Sequence, residues 1–381
     1  MKWEKVKLGE LYEVHNGLSK AGKFFGEGYP FLTFSTVFNN YFIPKQITDL
    51  VQSTEKEQES YSIRRGDVFV TRTSETSDEL GMSCVALKDY PMATYNGFTK
   101  RMRPITNRVF PEYIGYYMRL PSFRGEFRAF STMTTRASLR NEDLLGLEVK
   151  LPSIEIQKQI AGILSVYDDL IENNQKQIKL LEEAAQRLYK EWFVDLRFPG
   201  HENTKIVDGV PEGWSRGLLK ELISVNYGKD HKKAPDDGNI PVYGSGGLMR
   251  KCNKSLFSGE AVLIPRKGSL NNIMYVDETF WTVDTMFYAT MKQPHTAIFV
   301  YFFVKAFDMY SMNIGAAVPS MTIKILDAMD VVIPDKETLE KFDKYATVYF
   351  NTIKTLQGQN ERLKIARDLL LAKLMSGEVE V

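Results

Sequence analysis

The stretch that decides the fold runs from Leu151 to Glu202 and reads LPSIEIQKQIAGILSVYDDLIENNQKQIKLLEEAAQRLYKEWFVDLRFPGHE. Apolar side chains recur in it at spacings that alternate between four and three residues, which is the seam of a coiled coil. Pro152 precedes this pattern and Pro199-Gly200 follows it, so they mark the ends of one helix about 50 Å long. The predicted seam residues are Ile160, Leu164, Tyr167, Ile171, Asn174, Ile178, Leu181, Leu188 and Trp192.

A second stretch near the C-terminus carries the same pattern and supplies a partner for the first helix. Pro334 precedes it, Ser376-Gly377 follows it, and Arg367 is the one residue that does not fit an apolar seam. Two such helices, each following a globular domain in a pseudo-twofold molecule, are expected to pair in antiparallel orientation. The seam residues predicted here are Phe342, Tyr349, Ile353, Leu356, Asn360, Leu363, Leu370 and Leu374.

Some residues on and beside these helices have two interpretations. Asn174 and Asn360 stand on the seams, where a buried amide costs stability but fixes register. Partial exposure to solvent explains them equally well. Aromatic side chains near the ends of the helices suit either docking of other proteins or packing in a core. These aromatic residues are Trp3, Trp192, Phe193 and Trp214, and we expect core packing for at least half of them.

Outward from the helices, the flanking sequence is duplicated. At an offset of 211 residues, matches run without a gap from Trp3/Trp214 to Pro30/Pro241, and they include Gly17/Gly228. At an offset of 182, they run from Ser138/Ser320 to Pro152/Pro334. Between these anchors the copies share little sequence and differ in length by 29 residues. Similar frames around different inserts favour two domains that recognise different things, and drift after an old duplication is the alternative.

Both inserts contain short β-branched and aromatic runs that Gly, Pro and Asn separate, which predicts strands and turns. In the first copy these runs are GYPFLTFSTVF, GDVFVTRTS and CVALKDYPMATYNGF, and in the second NIPVYGSGG, GEAVLIPRKGS and NNIMYVDETFWTVDTMFYATM. PEYIGYYMRL and AIFVYFFVKAF each predict a helix that packs under the sheet. The fold class is therefore α/β (α+β), with two mixed globular domains at residues 1–150 and 201–334. The two long helices occupy 151–200 and 335–381, where they form an antiparallel coiled coil.

Composition narrows the class of protein. Cys84 and Cys252 form no CxxC pair, which argues for a reducing compartment and against disulfides and zinc. The N-terminus MKWEKVKLGELYEV is charged, unlike a signal peptide, and no apolar run approaches the roughly 20 residues that cross a bilayer. We expect a soluble cytoplasmic protein with no membrane partner.

Charge is sorted along the chain although the total is only +1. Residues 100–140 carry a net +7 and residues 229–267 a net +4, whereas residues 151–200 carry −2. This distribution fits basic reading surfaces on a neutral or acidic frame, and ordinary solvated charge is an equal alternative.

Motifs for catalysis are absent from the sequence. Gly244-Ser245-Gly246-Gly247 lacks both the Lys-Ser/Thr of a phosphate loop and the third glycine of a dinucleotide fingerprint. The four histidines are scattered, with no metal-ligand spacing, and neither GxSxG nor an Asn/Asp-Pro-Pro-Tyr element occurs. We expect no catalytic residue, no metal and no cofactor in this chain.

The turns at strand ends carry groups that bind nucleic acid. Arg reads guanine, Asn reads adenine, and Lys, Ser and backbone amides hold phosphates. Glycine beside them lets the backbone approach a duplex closely. The predicted DNA contacts of the first copy are Lys20, Lys23, Ser35, Arg72, Thr73, Ser74, Tyr95, Asn96, Lys100, Arg101 and Arg136. Those of the second copy are Lys229, Lys232, Lys233, Tyr243, Ser245, Arg250, Arg266, Lys267 and Asn271.

The stretch 151–202, followed by VPEGWSRGLLKELISV, resembles the central region of specificity subunits of type I restriction-modification systems. VVIPDKETLEKF and LLLAKLMSGEVEV resemble the distal copy of that region, although Arg367 on the second seam departs from the pattern. The resemblance implies two target-recognition domains, each reading one half of a bipartite, asymmetric site in double-stranded DNA. A helical spacer would hold them about one DNA turn apart, roughly 34–36 Å.

The resemblance also implies partners. Two modification subunits would dock on the frame, bring S-adenosylmethionine and flip a target adenine, and restriction subunits would add ATP-driven translocation and cleavage. The chain itself would then be a recognition subunit without catalysis. A coiled-coil scaffold whose inserts bind protein is the second hypothesis, and a nuclease or methyltransferase with an unrecognised site is the third. Salt-dependent duplex binding separates the first hypothesis from the second.

Overall fold

A computed structural model describes residues 3–74, 80–129, 137–312 and 320–380. The chain divides into two units, of which the first is built from two segments of the sequence and the second from one. Unit 1 comprises residues 1–173 and 360–381, and unit 2 comprises residues 174–359. Each unit therefore includes a part of both long helices.

Unit 1 consists of short strands and helices followed by the first long helix. In chain order these are β1 (Glu4–Lys7), α1 (Leu8–Leu11), β2 (Tyr12–Asn16), β3 (Phe25–Leu32), α2 (Phe34–Asn39), β4 (Leu50–Val51), α3 (Glu55–Ser60), β5 (Val68–Thr71), β6 (Thr73–Ser74), β7 (Ser83–Val85), β8 (Thr94–Tyr95), β9 (Thr99–Pro104), α4 (Pro111–Tyr117), α5 (Pro121–Ala129), β10 (Ala137–Ser138), α6 (Asn141–Gly146), β11 (Glu148–Leu151) and α7 (Ile154–Tyr189), which continues into unit 2. One sheet has the order β2-β9-β5-β7, and a second has the order β4-β3-β8.

Unit 2 contains the end of the first long helix, which closes with a π-helical turn at Lys190–Val194. Its further elements are β12 (Ile206–Val207), β13 (Val210–Pro211), β14 (Ser215–Leu218), β15 (Ile223–Tyr227), β16 (Ile240–Gly244), β17 (Gly247–Cys252), β18 (Phe257–Pro265), β19 (Met274–Thr282), β20 (Met286–Met291), α8 (Ala297–Lys305), α9 (Ile323–Asp327), β21 (Asp330–Ile333) and α10 (Lys336–Ser376), which continues into unit 1. Six strands form one sheet in the order β15-β20-β18-β19-β16-β17.

The sheets of the two units share one strand order. The strands β2, β9 and β5 correspond to β15, β20 and β18, and β3 and β4 correspond to β16 and β17. The long strand β19 has two short counterparts, β7 and β8, which is why unit 1 has two sheets where unit 2 has one. Each unit has one corresponding parallel pair, which is β3 with β8 in unit 1 and β16 with β19 in unit 2. Inserts that share little sequence therefore build the same arrangement.

The duplicated flanks form a matching pair of strands in each unit. Glu4 pairs with Leu151 in β1–β11, and Ser215 pairs with Ile333 in β14–β21. These partners differ by the same offsets of 211 and 182 residues that the sequence repeat has. The frame that the repeat predicts is thus a two-stranded ribbon that leads into each long helix.

One strand prediction is wrong in part. In GYPFLTFSTVF, strand β3 ends at Leu32 and helix α2 begins at Phe34. Thr33 caps this helix because its Oγ1 accepts a hydrogen bond from the backbone N–H of Thr36. The β-branched run predicts a strand, but the capping threonine starts a helix at this point. The two aromatic helices, α4 and α8, were predicted correctly.

The long helices pack in antiparallel orientation within each unit. In unit 1, Ile160 near the start of α7 shares a core with Leu374 near the end of α10. In unit 2, the ring of Trp192 lies 5.9 Å from that of Phe342, near the opposite ends of the two helices. Each of the predicted seam residues is buried or half-buried.

The ambiguous residues on the helices have a structural answer. The side chains of Asn174 and Asn360 are 7% and 6% exposed, so the buried-amide interpretation is supported over partial exposure. Trp192 and Trp214 are buried in the core of unit 2, and the indole N–H of Trp214 donates to Asp335. Trp3 packs against the core of unit 1 and Phe193 against the core of unit 2, both as partly buried side chains. Core packing accounts for these aromatic residues.

Arg367, the misfit on the second seam, is buried with a partner. Its guanidinium donates to Asp168 of α7 and lies over the ring of Tyr41, 4.5 Å from the centroid. The hydroxyl of Tyr116 donates to the other oxygen of Asp168 at 2.5 Å. A polar network therefore joins both long helices and the sheet-bearing part of unit 1.

The same positions of unit 2 are apolar. By the offset of 182 residues, Arg367 corresponds to Ala185 and Asp168 corresponds to Phe350. Ala185 is fully buried, and the ring of Phe350 lies 6.0 Å from that of Phe302. The two copies of the frame thus pack one equivalent position by different chemistry.

Candidate nucleic-acid interface

In unit 2, four loops meet at one edge of the sheet. Lys229 donates its backbone N–H to Thr282, and Val283 donates to Tyr243. The backbone N–H of Arg266 donates to Thr285. We call residues 228–230, 243–246, 266–268 and 282–285 loop cluster 2. It gathers turns that the sequence predicted to contact DNA from three separate places in the chain.

Loop cluster 1, residues 17–19, 32–35, 72–74 and 95–98, has the corresponding hydrogen bonds. Leu18 donates to the carbonyl of Tyr95 at 2.8 Å, and Asn96 donates to that of Leu32 at 3.0 Å. Arg72 donates its backbone N–H to Phe98 at 2.9 Å. The two clusters are therefore built on one backbone plan.

Arg72 and Arg266 hold equivalent positions in this plan. Each follows the last residue of a central strand, β5 or β18, and each donates to the loop before the next strand. The carbonyl of Arg72 accepts from Leu139, and the carbonyl of Arg266 accepts from Met321. Both side chains are half-exposed. Each cluster thus presents one guanidinium from the same place.

The duplicated glycines are needed for packing inside the clusters. A Cβ on Gly17 would lie 2.0 Å from the carbonyl oxygen of Asn96, and one on Gly228 would lie 2.0 Å from that of Val283. No side chain fits such a contact, so the backbone of each loop lies directly on its neighbour. This internal packing is a role of glycine in addition to the predicted approach to a duplex, which stays a prediction.

In and beside loop cluster 2, most predicted cations face solvent. Lys229, Lys232, Lys233 and Lys267 are exposed, and Ser245 is half-exposed. The guanidinium of Arg266 lies over the exposed ring of Tyr227, 5.7 Å from its centroid. These side chains form a basic surface that can reach phosphates and base edges.

Loop cluster 1 has fewer exposed cations. Lys23 and Ser35 are exposed beside or within it, and Arg72 and Asn96 are half-exposed. The side-chain oxygen of Asn96 accepts from the backbone N–H of Phe98 at 2.7 Å. Thr73 and Ser74 lie in β6, which pairs with β10. The side chains of Thr73 and Ser74, and all of Arg136, lie outside the described part of the chain.

Three predicted contacts of the first copy are wrong because their side chains are buried. Tyr95 is fully buried and its hydroxyl donates to the carbonyl of Asn16. Arg101 is 3% exposed and donates to the carbonyl of Ser62. Lys100 is 4% exposed, and burial, followed by the positive charge of Arg72, lowers its pKa. These groups hold strands together and cannot reach a duplex.

Lys20 and Tyr243 are each held by a carboxylate. Lys20 forms an ion pair with Glu57 at 2.8 Å. The hydroxyl of Tyr243 donates to Glu278 at 2.5 Å, and burial together with this carboxylate raises the pKa of Tyr243. Because a carboxylate of its own unit holds each side chain, we no longer count Lys20 and Tyr243 among the predicted DNA contacts.

Arg250 and Asn271 are also engaged inside unit 2. Arg250 forms an ion pair with Asp236 and donates to the carbonyl of Ala234. Asn271 donates to Asp308 at 3.0 Å, and its side-chain oxygen accepts from a backbone N–H at 2.8 Å. A sequence that places polar residues in turns does not tell which of them serve the turns themselves.

The net charge of residues 100–140 has mainly a structural use. Arg103 pairs with Asp67 at 2.7 Å, and Arg108 pairs with Glu4 at 2.6 Å. Arg119 donates to several backbone carbonyls, including that of Ser83. The interpretation of this stretch as a basic reading surface is therefore wrong for these residues.

Sequence reasoning missed two features of the clusters. Phe98 of loop cluster 1 is 59% exposed. The equivalence of Arg72 and Arg266 was also missed, although VFVTR at 68–72 aligns with VLIPR at 262–266. A third register of the repeat would have found this equivalence.

A family model for the type I restriction modification DNA specificity domain matches residues 1–183 and again 211–364. The chain belongs to this family. The MjaIX specificity subunit of Methanocaldococcus jannaschii is 25% identical over 423 residues, covering 100% of this chain and 94% of that protein. The HindI specificity subunit of Haemophilus influenzae is 22% identical over 479 residues, covering 99% of each.

A solved structure supports the fold of this DNA specificity family member. The S subunit of a type I restriction-modification system from M. genitalium matches with a TM-score of 0.57 at 17% identity. The match covers 98% of this chain and 96% of that one. Mixed sheet-bearing domains with long helices are thus the architecture of both.

Membership of the family supports DNA sequence specificity over the protein-binding scaffold.

Among the described residues, no helix is both long and apolar enough to cross a membrane. No group of three or more His, Cys, Asp or Glu side chains in the described part of the chain is arranged to hold a metal ion.

Proposed function

We propose that this DNA specificity family member reads a bipartite, asymmetric target, with each loop cluster contacting one half. The observation that carries the proposal is the shared backbone plan of the two clusters. One plan that presents different side chains, around an arginine in the same place, is suited to reading two different sequences. The frame stays the same while the recognised bases change.

The proposed contacts are the predicted residues that remain accessible. Arg72 and Arg266 are suited to bidentate contacts with guanine, and the amide of Asn96 is suited to adenine. Exposed lysines beside loop cluster 2 would hold phosphates and position the unit on the duplex. The retained set is Lys23, Ser35, Arg72, Asn96, Lys229, Lys232, Lys233, Ser245, Arg266 and Lys267.

The long helices would set the gap between the half-sites and dock two modification subunits. Apolar side chains away from the seam support docking, because large apolar groups on a helix surface mark binding sites when they cluster. On α7 of unit 1, Ile163, Val166 and Leu170 are exposed at helical spacing. On α10 of the same unit, Ile365 and Leu369 are exposed four residues apart.

The chemistry would belong to the partners. Modification subunits would bring S-adenosylmethionine and transfer its methyl group to a flipped adenine, and restriction subunits would use ATP to translocate and cleave DNA. The chain itself would supply recognition and no catalytic group or cofactor.

Adenine-methylation mapping tests this function directly. Cells would express the chain with the modification subunit encoded beside it, and their DNA would be mapped with and without the chain. We expect a bipartite motif that disappears when the chain is deleted. An active modification subunit whose pattern does not depend on the chain would return the scaffold hypothesis.

A further inference from the structure

Phe98 is an apolar side chain in an otherwise polar reading loop. Its side chain is 59% exposed, whereas Leu18, Leu32 and Tyr95 of the same cluster are buried. Exposing this much of an apolar ring to water costs free energy, which burial against a partner would recover. Single exposed apolar residues are common on proteins, so the setting of Phe98 decides its meaning.

The backbone of Phe98 is fixed on both sides. Its N–H donates to the side-chain oxygen of Asn96 at 2.7 Å, and its carbonyl accepts from Arg72 at 2.9 Å. The preceding Gly97 packs closely, since a Cβ there would lie 2.3 Å from the hydroxyl of Ser19. The ring is therefore displayed from a turn that is already ordered, which lowers the entropic cost of binding.

The neighbours of Phe98 belong to residue types that read bases in the major groove. Arg72 and Asn96 are both hydrogen-bonded to the backbone of Phe98. Arginine contacts guanine in the major groove, and asparagine contacts adenine there. Thymine presents a methyl group in the same groove, and phenylalanine is one of the side chains that contact it. Apolar side chains that insert between bases and unstack them act instead from the minor groove. The hydrogen-bonding pattern that Arg and Asn read in the major groove is not present there.

We propose that Phe98 is a specificity-determining residue that recognises the methyl group of a thymine in the half-site read by unit 1. This inference rests on the proposed function of loop cluster 1 and names one of its base contacts.

Unit 2 provides a built-in comparison. In the shared backbone plan, Thr285 accepts from Arg266 where Phe98 accepts from Arg72. Thr285 is half-exposed and short. Thr285 carries a methyl group but no ring, so an aromatic contact with thymine is available at this position of unit 1 only.

The test uses the complex of the chain with its modification subunits and the target found by methylation mapping. Each thymine in the half-site of unit 1 is replaced in turn by uracil, which lacks only the methyl group. Duplex affinity is measured for the wild type, for Phe98→Ala, and for Ile105→Ala. Ile105 is a matched control because it is 58% exposed and follows the opposite end of strand β9.

We expect one uracil to weaken wild-type binding about three- to tenfold, the range for loss of one buried methyl contact. Phe98→Ala should bind thymine and uracil duplexes equally, and Ile105→Ala should behave as the wild type. Equal binding of all uracil duplexes by the wild type, or full uracil discrimination by Phe98→Ala, would overturn the inference while leaving the proposed function standing. A wild-type complex that binds its mapped target no better than random duplex would overturn both.

Discussion

At the scale of single residues, the surroundings of each arginine separate structural from recognition roles. Arg101, Arg103 and Arg250 spend their donors on carbonyls and carboxylates of their own unit. Arg72 and Arg266 present half-exposed side chains at the edge where the loops meet. The sequence predicted contacts of both kinds, because residue type and turn position are the same for each. Only the partners of each guanidinium, which come from distant parts of the chain, tell them apart.

The first prediction concerns these two recognition arginines. Arg72→Ala and Arg266→Ala should each relax the mapped motif in a different half, at a cost of about 1–3 kcal/mol in discrimination. Arg64→Ala is the control, since Arg64 is exposed and precedes strand β5 whereas Arg72 follows it. Motif mapping and duplex affinity are the measurements. If both variants left both half-sites intact, the assignment would fail.

The second prediction concerns Gly228. An alanine there would place its Cβ 2.0 Å from the carbonyl oxygen of Val283, so we expect Gly228→Ala to destabilise unit 2 by at least about 1 kcal/mol. Gly246→Ala is the control, because a Cβ at Gly246 meets no atom within 4 Å. Urea unfolding of the two variants should differ clearly. A Gly228→Ala protein as stable as the Gly246→Ala protein would contradict the packing described here.

At the scale of elements, local signals predicted the helices and most of the strands, but not how the strands pair. Proline, glycine and heptad spacing lie within the helices or at their ends, so α7 and α10 begin and end close to the expected residues. Strand pairing joins residues far apart in sequence. The common strand order of the two inserts was therefore invisible, and so was the helix that Thr33 caps within a β-branched run.

The third prediction concerns the pair of Arg367 and Asp168. Removal of one partner leaves the other charge in a mostly buried site, so Arg367→Ala should cost about 3 kcal/mol of unfolding free energy. Lys364→Ala, which removes an exposed pair with Glu361 on the same helix, should cost less than about 1 kcal/mol. Urea denaturation measures both values, and equal effects would mean that the buried pair adds nothing.

At the scale of the whole molecule, the repeat predicts interchangeable recognition parts. Residues 12–138 begin with the first residue of β2 and end with the last residue of β10. They leave the ribbon of β1 and β11 and both long helices outside the exchanged segment. The frame and the reader can therefore be separated at the boundaries of elements.

The fourth prediction is an exchange of this segment. Replacing residues 12–138 by the equivalent segment of another family member should alter one half of the methylated motif and leave the other half unchanged. The wild-type chain and the donor chain, mapped in parallel, are the controls. A change in both halves would show that the two units do not read independently.

The fifth prediction concerns salt. If exposed lysines hold phosphates, the logarithm of the affinity for duplex should fall linearly with the logarithm of salt concentration. Lys232→Ala combined with Lys233→Ala should reduce the slope by about two and weaken binding to all sequences alike. An affinity for duplex that does not change with salt concentration would favour the scaffold hypothesis.

The polar network around Arg367 has a further consequence for self-association. A chain with two similar halves could pair like helix with like helix across two copies. Two first helices would then set Asp168 against Ala185, and two second helices would set Arg367 against Phe350. The first arrangement leaves Asp168 without its counter-ion, and the second leaves Arg367 with Asp368 alone, so the mixed pairing is preferred. A protein whose helices disfavour homotypic pairing keeps two unlike units in one molecule, and we expect the DNA sequence that such a molecule reads not to be a palindrome.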